Sequence, residues 1–192
     1  MNPFAIDNSD FQFLLDSIGE TVIINNVPKK CIVQNAKIGD YEDKYIYTLS
    51  NIQRGNLILH NEKNYLIISD VTEGKQYKKA IMRKCTHTIR VMIQEGQQIL
   101  IGTTPWGEEQ YKTTDPVYDD FPCIVEQEKI VIEGSQIKTS DSEILITLQD
   151  NEHTRKIKVN DVYEVAGARY KIVHINYTKS GLLIIKCETA VV

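Results

Sequence analysis

Two stretches of this chain repeat one another. Cys31-Ile32-Val33-Gln34 returns as Cys123-Ile124-Val125-Glu126. Gly55-Asn56-Leu57 is followed, eight residues after Leu57, by Tyr65-Leu66-Ile67-Ile68, and Asn160-Asp161-Val162 by Tyr170-Lys171-Ile172-Val173 at the same interval. Lys84-Cys85 and Lys186-Cys187 close the two copies, so all four cysteines fall at matching places. The internal spacing differs, with 34 residues from Cys31 to Tyr65 and 47 from Cys123 to Tyr170. A tandem duplication of one β-module accounts for the pattern and constrains the fold. Each module of roughly 80–95 residues must close a core of its own, and a core that small gains from docking on a neighbour.

Nearly all of the remaining pattern is strand. Thr21–Ile24, Cys31–Val33, Tyr45–Leu49, Leu57–Leu59, Tyr65–Val71, Ala80–Thr86 and Thr88–Ile93 are β-branched or aromatic runs of strand length. The second copy offers Ile124–Val125, Ile130–Ile132, Ile144–Leu148, Ile157–Val159, Val162–Val165, Tyr170–Asn176 and Leu182–Cys187. Turn residues separate them, among them Asn25-Asn26, Asn61 to Asn64, Glu133-Gly134-Ser135, Ala166-Gly167-Ala168 and Lys179-Ser180-Gly181. Residues 7–18 alone read as helix. Asp7 or Ser9 caps the start, Gly19 ends it, and Phe11, Leu14, Leu15 and Ile18 form one apolar face. A lone helix this short needs a docking partner, and the reading favours a plug in its own barrel over insertion against a neighbouring subunit. The fold class expected is all-β: two tandem small β-barrel or sandwich modules with a short N-terminal α-helix. Residues 1–95 form the helix and first module, 96–121 a linker or arm, and 122–192 the second β-module.

The linker holds Pro105, Gly107 and Pro116, with Pro122 just beyond it, which disfavours regular structure. It also holds the only tryptophan, Trp106, with Tyr111, Tyr118 and Phe121. A pure spacer would rarely carry so much aromatic area. Either it packs between the modules or it is an extended arm that grips another subunit.

The sequence excludes more chemistry than it suggests. A chain 42% hydrophobic and 25% charged has the means to bury a core and does not read as disordered. No apolar run approaches the ~18–20 residues of a membrane span, and no basic region precedes an apolar stretch at the N-terminus. The expected location is the cytoplasm, with no membrane partner. Residues 1–95 carry 12 basic and 11 acidic side chains and the remainder 10 and 15, a balance that gives no reason to expect specific nucleic-acid binding. The one basic stretch, Lys75, Lys78, Lys79, Arg83, Lys84 and Arg90, reads as a solvated strand face. No Cys-x-x-Cys pair is present, so the cysteines read as small buried residues rather than a zinc site. His60, His87, His153 and His174 are scattered without a nucleophile at suggestive spacing. The acidic groups Asp115, Asp119, Asp120, Asp141 and Glu143 lack calcium-loop spacing and suit turns. No enzyme activity, cofactor or metal is expected.

A resemblance adds to this reading. Asp10-Phe11-Gln12-Phe13-Leu14-Leu15-Asp16-Ser17-Ile18-Gly19 with Val22-Ile23-Ile24-Asn25-Asn26, Tyr47 to Asn56, Tyr65 to Val71 and Lys79 to Cys85 resemble small structural proteins of the head–tail joining region in tailed phages and prophages of Gram-positive bacteria. The likeness covers roughly residues 7–93. It implies a head–tail connector (neck, stopper-type) protein acting by ring assembly, with a helix-preceded barrel, no catalytic site, and a life in the host cytoplasm and then the virion. Its partners would be copies of itself and other phage structural proteins. Such connectors are usually single-domain, so the second module departs from the pattern. On this reading Phe11, Phe13, Trp106, Tyr111 and Tyr118 lie at subunit contacts. The competing reading is a tandem β-barrel module that binds a peptide or nucleic acid, with Lys75–Arg90 and Tyr77 forming a weak nucleic-acid face.

Overall fold

The computed structural model describes residues 9–36, 42–74, 76–127, 132–133, 136–137 and 143–190. A helix, α1 (Ser9–Ile18), precedes β1 (Glu20–Ile24), β2 (Val27–Asn35), β3 (Lys44–Thr48), β4 (Leu57–His60), β5 (Lys63–Ile67), β6 (Thr72–Glu73) and β7 (Lys78–Lys84). There follow β8 (His87–Gln94), β9 (Gln98–Thr103), β10 (Glu109–Thr113), β11 (Val117–Gln127), β12 (Ile132–Glu133), β13 (Gln136–Ile137), β14 (Glu143–Gln149), a 3-10 turn (Thr154–Lys156), β15 (Val162–Val165), β16 (Ala168–Asn176) and β17 (Leu182–Thr189). The architecture is all-β with one short helix, as the sequence indicated.

The first barrel runs β3-β2-β1-β4-β5-β7, and a further antiparallel ladder from β3 to β7 closes it. The second runs β11-β14-β17-β16-β15 with β8 beside β11. Strand for strand these are the same connection: β1, β2, β3, β4, β5 and β7 correspond to β8, β11, β14, β15, β16 and β17. Register confirms it. Cys31 stands opposite Glu20 and Cys123 opposite His87, while Ile32 pairs with Tyr47 and Ile124 with Thr147. The paired bonds Gly55 N–H to Ile67 O and Ile67 N–H to Asn56 O recur as Asn160 N–H to Ile172 O and Ile172 N–H to Asp161 O. One match shifts. Ile67 pairs with Met82 and Ile172 with Cys187, so Met82 is the counterpart of Cys187, and Cys85 lies three residues beyond it.

Alternation explains why these segments are strands. Ile144, Ile146 and Leu148 in β14, like Ile46 and Thr48 in β3, turn inward at every second position and are buried. Cys31 joins Val22, Ile46, Ile58 and Met82 in the first core, and Cys123 and Cys187 join Ile146, Leu148 and Leu183 in the second. Two-residue turns with both residues at positive φ, Asn25-Asn26, Asn61-Glu62 and Ala166-Gly167, suit the right-handed twist of the hairpins they close.

Three expectations change. The joint between barrels is Cys85-Thr86, because β8 pairs with β11 in the second barrel; residues 87–95 therefore belong there, not to a first module ending at 95. The supposed linker is ordered: β9 and β10 form a hairpin and β11 begins at Val117. Its prolines are tolerated because Pro105 sits in the hairpin turn, Pro116 precedes a strand, and Pro122 lies where β11 pairs with β8 alone, its ladder to β14 starting at Ile124. Ile157–Val159 is no strand; it follows the 3-10 turn, and only Ile157 of the three is buried. Lys75, Asp141, Ile130–Val131 and the Gly134-Ser135 turn lie outside the described residues.

The barrels dock directly. Leu66 and Ile68 meet Ile124, Leu182 and Cys85 in a small core between them. Beside it Gly55 and Gly181, both at positive φ, bring two backbones together, with Arg54 Nε donating to Ser180 O at 3.0 Å. Gln149 Nε2 donates to Asn25 Oδ1 at 3.1 Å. Arg83 holds buried Asp43 through two bonds of 2.8 and 2.9 Å and also pairs with Glu126 of the second barrel.

Candidate functional site

Among the described residues the most exposed apolar surface is the β9–β10 arm. It grows from the end of β8 and returns into β11. Its root is fastened by Gln97 N–H to Thr114 Oγ1 and Thr114 N–H to Gln97 O, each at 2.8 Å. Every residue of the two strands is exposed except half-buried Gly102. Ile99, Leu100 and Ile101 therefore face water, Tyr111 is about half exposed, and Trp106 at the tip is 90% exposed. The tip is a defined turn: Gly107 N–H donates to Thr104 O at 2.9 Å, Glu108 N–H to Thr104 Oγ1 at 3.0 Å, and Thr104 N–H to Glu108 O at 2.7 Å. The Tyr111 hydroxyl donates to Glu109, which raises its pKa. A two-stranded ribbon leaves a free edge on β9, and β9 carries neither charge nor proline to guard it.

The five residues expected at subunit contacts separate into four places. Trp106 and Tyr111 are on the arm. Phe13, 71% exposed, lies with Leu14 and Ile18 on the outer side of α1. Phe11 is instead packed within the chain: it and Leu15 sit against Ile32, Tyr47 and Leu49, and its ring centroid is 5.0 Å from that of Tyr77. The helix thus covers the outside of the first barrel rather than plugging it, because Phe11 and Leu15, one turn apart, match the outward side chains of β2 and β3. Tyr118 is about half exposed at the start of β11, with the Arg90 guanidinium 5.6 Å from its ring centre.

Tyr118 belongs to a groove that no sequence pattern indicated. In the first barrel β1 and β4 are laddered at Ile23–Leu59 and Ile24–Ile58. In the second, the corresponding β8 and β15 lie alongside without a ladder among the described residues. The 3-10 turn of the longer β14–β15 connection packs on β8, and Lys156 Nζ donates to Ile93 O there. Over the resulting seam runs a groove of about 400 Å³ lined by Arg90, Met92, Tyr118, Asp161, Val162, Tyr163 and Glu164. A second hollow of about 500 Å³ continues past Met92 and Tyr163 to Lys156 and Lys158. Burial pushes the Tyr163 phenol up to about 12, so it lines the groove as a neutral group.

The basic stretch is divided among partners. Lys78 pairs with Glu73 at 2.9 Å and Asn51 at 2.7 Å, Lys79 lies 3.9 Å over the Tyr45 ring, and Arg83 is held by Asp43 and Glu126. His60 is buried with Nε2 2.9 Å from Glu20, and the His153 ring leans on Phe121. Glu143 pairs with Lys186 at 2.8 Å. Among the described residues no three His, Cys, Asp or Glu side chains stand together as metal ligands, and no helix is long and apolar enough to cross a membrane.

Fold and surface together define a class: a tandem β-barrel protein with a projecting aromatic arm. The chain belongs to the YomX family, whose N-terminal domain matches residues 2–84 and whose C-terminal domain matches residues 87–188. The two matched stretches meet at the Cys85-Thr86 joint. A relative, the SPbeta prophage-derived uncharacterized protein YomX of Bacillus subtilis (strain 168), is 26% identical over 171 residues, spanning 83% of this chain and 76% of that protein. No solved structure matches the chain.

Proposed function

We propose that this chain is a structural protein of a phage or prophage particle, working in the head–tail joining region by assembly of its own copies and other particle proteins. The observation that carries the reading is the arm. An ordered ribbon that presents Ile99, Leu100, Ile101, Trp106 and Tyr111 to water has its apolar area ready for burial against another molecule. The prophage origin named for the B. subtilis relative supports the phage setting. Rigid docking of the barrels supports a subunit that holds fixed positions along a joint, and assembly of this kind needs lateral contacts rather than a reacting group. The protein would stay in the host cytoplasm until it enters the virion.

Two measurements test this. Light scattering over a concentration series should show a monomer converting to one closed species of higher mass. Mass spectrometry of particles purified after induction of a prophage carrying the gene should find the chain in stoichiometric amount. A monomer at every concentration, together with absence from purified particles, would end the structural reading and favour the binding-module alternative.

A further inference from the structure

We propose that the seam of the second barrel is a slot poised to close, in which β15 zips onto β8 in the register the first barrel already shows and Arg90 comes to stand opposite Glu164.

The duplication fixes which residues meet. Cys31 stands opposite Glu20 and Cys123 opposite His87, so Ile23 of β1 corresponds to Arg90 of β8. Leu57 stands opposite Leu66 and Val162 opposite Lys171, so Leu59 of β4 corresponds to Glu164 of β15. The laddered pairs Ile23–Leu59 and Ile24–Ile58 therefore map onto Arg90–Glu164 and Val91–Tyr163.

Backbone direction agrees with this register. Hydrogen-bonded and non-bonded pairs alternate along an antiparallel ladder. Pro122, which has no N–H to donate, faces Thr88, so Arg90 and Met92 turn their N–H and C=O groups away from β11 and into the seam. On the other side, the two-residue turn Ala166-Gly167 makes Val165–Ala168 a bonded pair, so Glu164 and Val162 turn away from β16 toward the same seam.

Side chains agree as well. On the outer face Asp120 pairs with Arg90 and Glu164 with Arg169, and all four are exposed. Closure joins the two pairs into one row of alternating charge, Asp120–Arg90–Glu164–Arg169, across β11, β8, β15 and β16. The matching row of the first barrel, Pro28–Ile23–Leu59–Asn64, is continuous and uncharged. Opposite charges directly across a sheet stabilise the pairing. The nearby acid Asp161 is already engaged, its carboxylate accepting from the Lys158 N–H at 2.8 Å.

Distance favours closure over insertion of a foreign strand. Cα atoms of β15 approach those of β8 to within 8 Å. An added strand needs about 9.5 Å between its neighbours, twice the usual spacing. A ladder needs Cα atoms about 4.5–5.5 Å apart, a closing movement of roughly 3 Å. The 3-10 turn is the strut that holds the slot open. Thr154 is buried in it and donates to Gln149 O at 2.7 Å, while Asn151 Oδ1 accepts from the N–H groups of His153 and Thr154. From this braced turn Lys156 Nζ reaches Ile93 O on β8, and Arg90 leans on the Tyr118 ring. Closure removes the groove, so whatever occupies the groove selects the open state.

Nuclear magnetic resonance of the full chain tests this. In a closed ladder Val91 and Tyr163 form a non-bonded pair, whose α-protons lie close enough for a strong Overhauser effect. The Ile24–Ile58 pair of the first barrel, next to the bond from Asn25 N–H to Leu57 O, is the internal standard. The ratio of the two effects reads the closed fraction and should be well below one in the parent. Glu164→Arg sets like charges face to face and should lower the ratio about threefold, the scale of one cross-strand charge pair. Arg90→Glu with Glu164→Arg should restore it, since the links to Asp120 and Arg169 are the same in both states. Lys156→Ala removes the strut and should raise the ratio. Lys156→Met repeats that release should Lys156→Ala disturb the turn, and circular dichroism checks each fold. A Val91–Tyr163 effect absent from every variant, or one indifferent to charge reversal and its rescue, would overturn closure and leave the seam a fixed groove.

Discussion

Single residues at the joint decide whether the two barrels hold one arrangement. Gly55 sits at φ +85°, and a Cβ there would lie 1.8 Å from the carbonyl oxygen of Gly181. The left-handed backbone alone costs an L-residue about 1–2 kcal/mol, and the overlap with rigid backbone adds to it. Gly55→Ala should therefore lower the thermal midpoint clearly, whereas Gly167→Ala, at φ +81° with open space around it, should show only the backbone cost. Equal midpoints for the two variants would mean that the barrels do not press together there. Arg83 makes a second case. Its guanidinium is held in its charged form by Asp43, whose carboxylate is almost wholly buried. Removing one partner of such a pair strands the other charge, so Arg83→Met should cost about 3–5 kcal/mol in chemical denaturation. Replacing the more exposed Glu126 by Gln should cost far less, because Asp43 would keep its partner. Comparable losses would place the weight of the network on the inter-barrel arm instead.

At the scale of elements, the β9–β10 arm is separable from the barrel that bears it. Residues 97 and 114 already face each other at its root, so replacing 98–113 with Asn-Gly should close a two-residue hairpin between β8 and β11. The truncated chain should unfold within a few degrees of the parent and remain monomeric. A large drop in midpoint would reveal packing of the arm on the barrel. Strands and tight turns were legible because alternation and Asn or Gly at turns are local signals, as in β14 and at Asn25-Asn26. The arm was half legible. Its aromatic content marked it as more than a spacer, yet the prolines hid the ribbon, because whether a proline breaks a ladder depends on which side of the strand is paired. The helix was placed correctly, but not the surface it covers, since Ile32 and Tyr47 read as ordinary strand residues until β2 and β3 are set side by side. The groove left no trace in sequence. Arg90 and Tyr118 meet through pairing across 28 residues and Val162 joins them only because β15 lies alongside β8, 72 residues away in sequence, and the open seam depends on a 3-10 turn that no local pattern marked.

Across the whole molecule, the duplication explains how the halves are joined as well as how each is built. Ile32 and Ile124 are equivalent outward positions on β2 and β11. In the first barrel that position is covered by Phe11 and Leu15 of α1, and in the second by Leu66 of the first barrel. The helix therefore does for the first barrel what the first barrel does for the second. The counterpart of Leu66 on the second barrel is Lys171, which is exposed and ends the series. A chain built this way should unfold as one cooperative body, because exposing Ile124, Leu66 and Leu182 in a half-unfolded state forfeits their burial. Ile124→Asp attacks only that joint. It inserts a charge where Ile124 is 3% exposed and lies outside the internal core of either barrel. The variant should lose about 2–5 kcal/mol or more of stability and split the single calorimetric transition of the parent into two. Ile32→Asp should instead free α1 and leave the transition single, since it lies away from the joint. If Ile124→Asp keeps one transition at the parental midpoint, the barrels are held together by the Gly55–Gly181 approach and the Arg83 network, with the apolar patch contributing little.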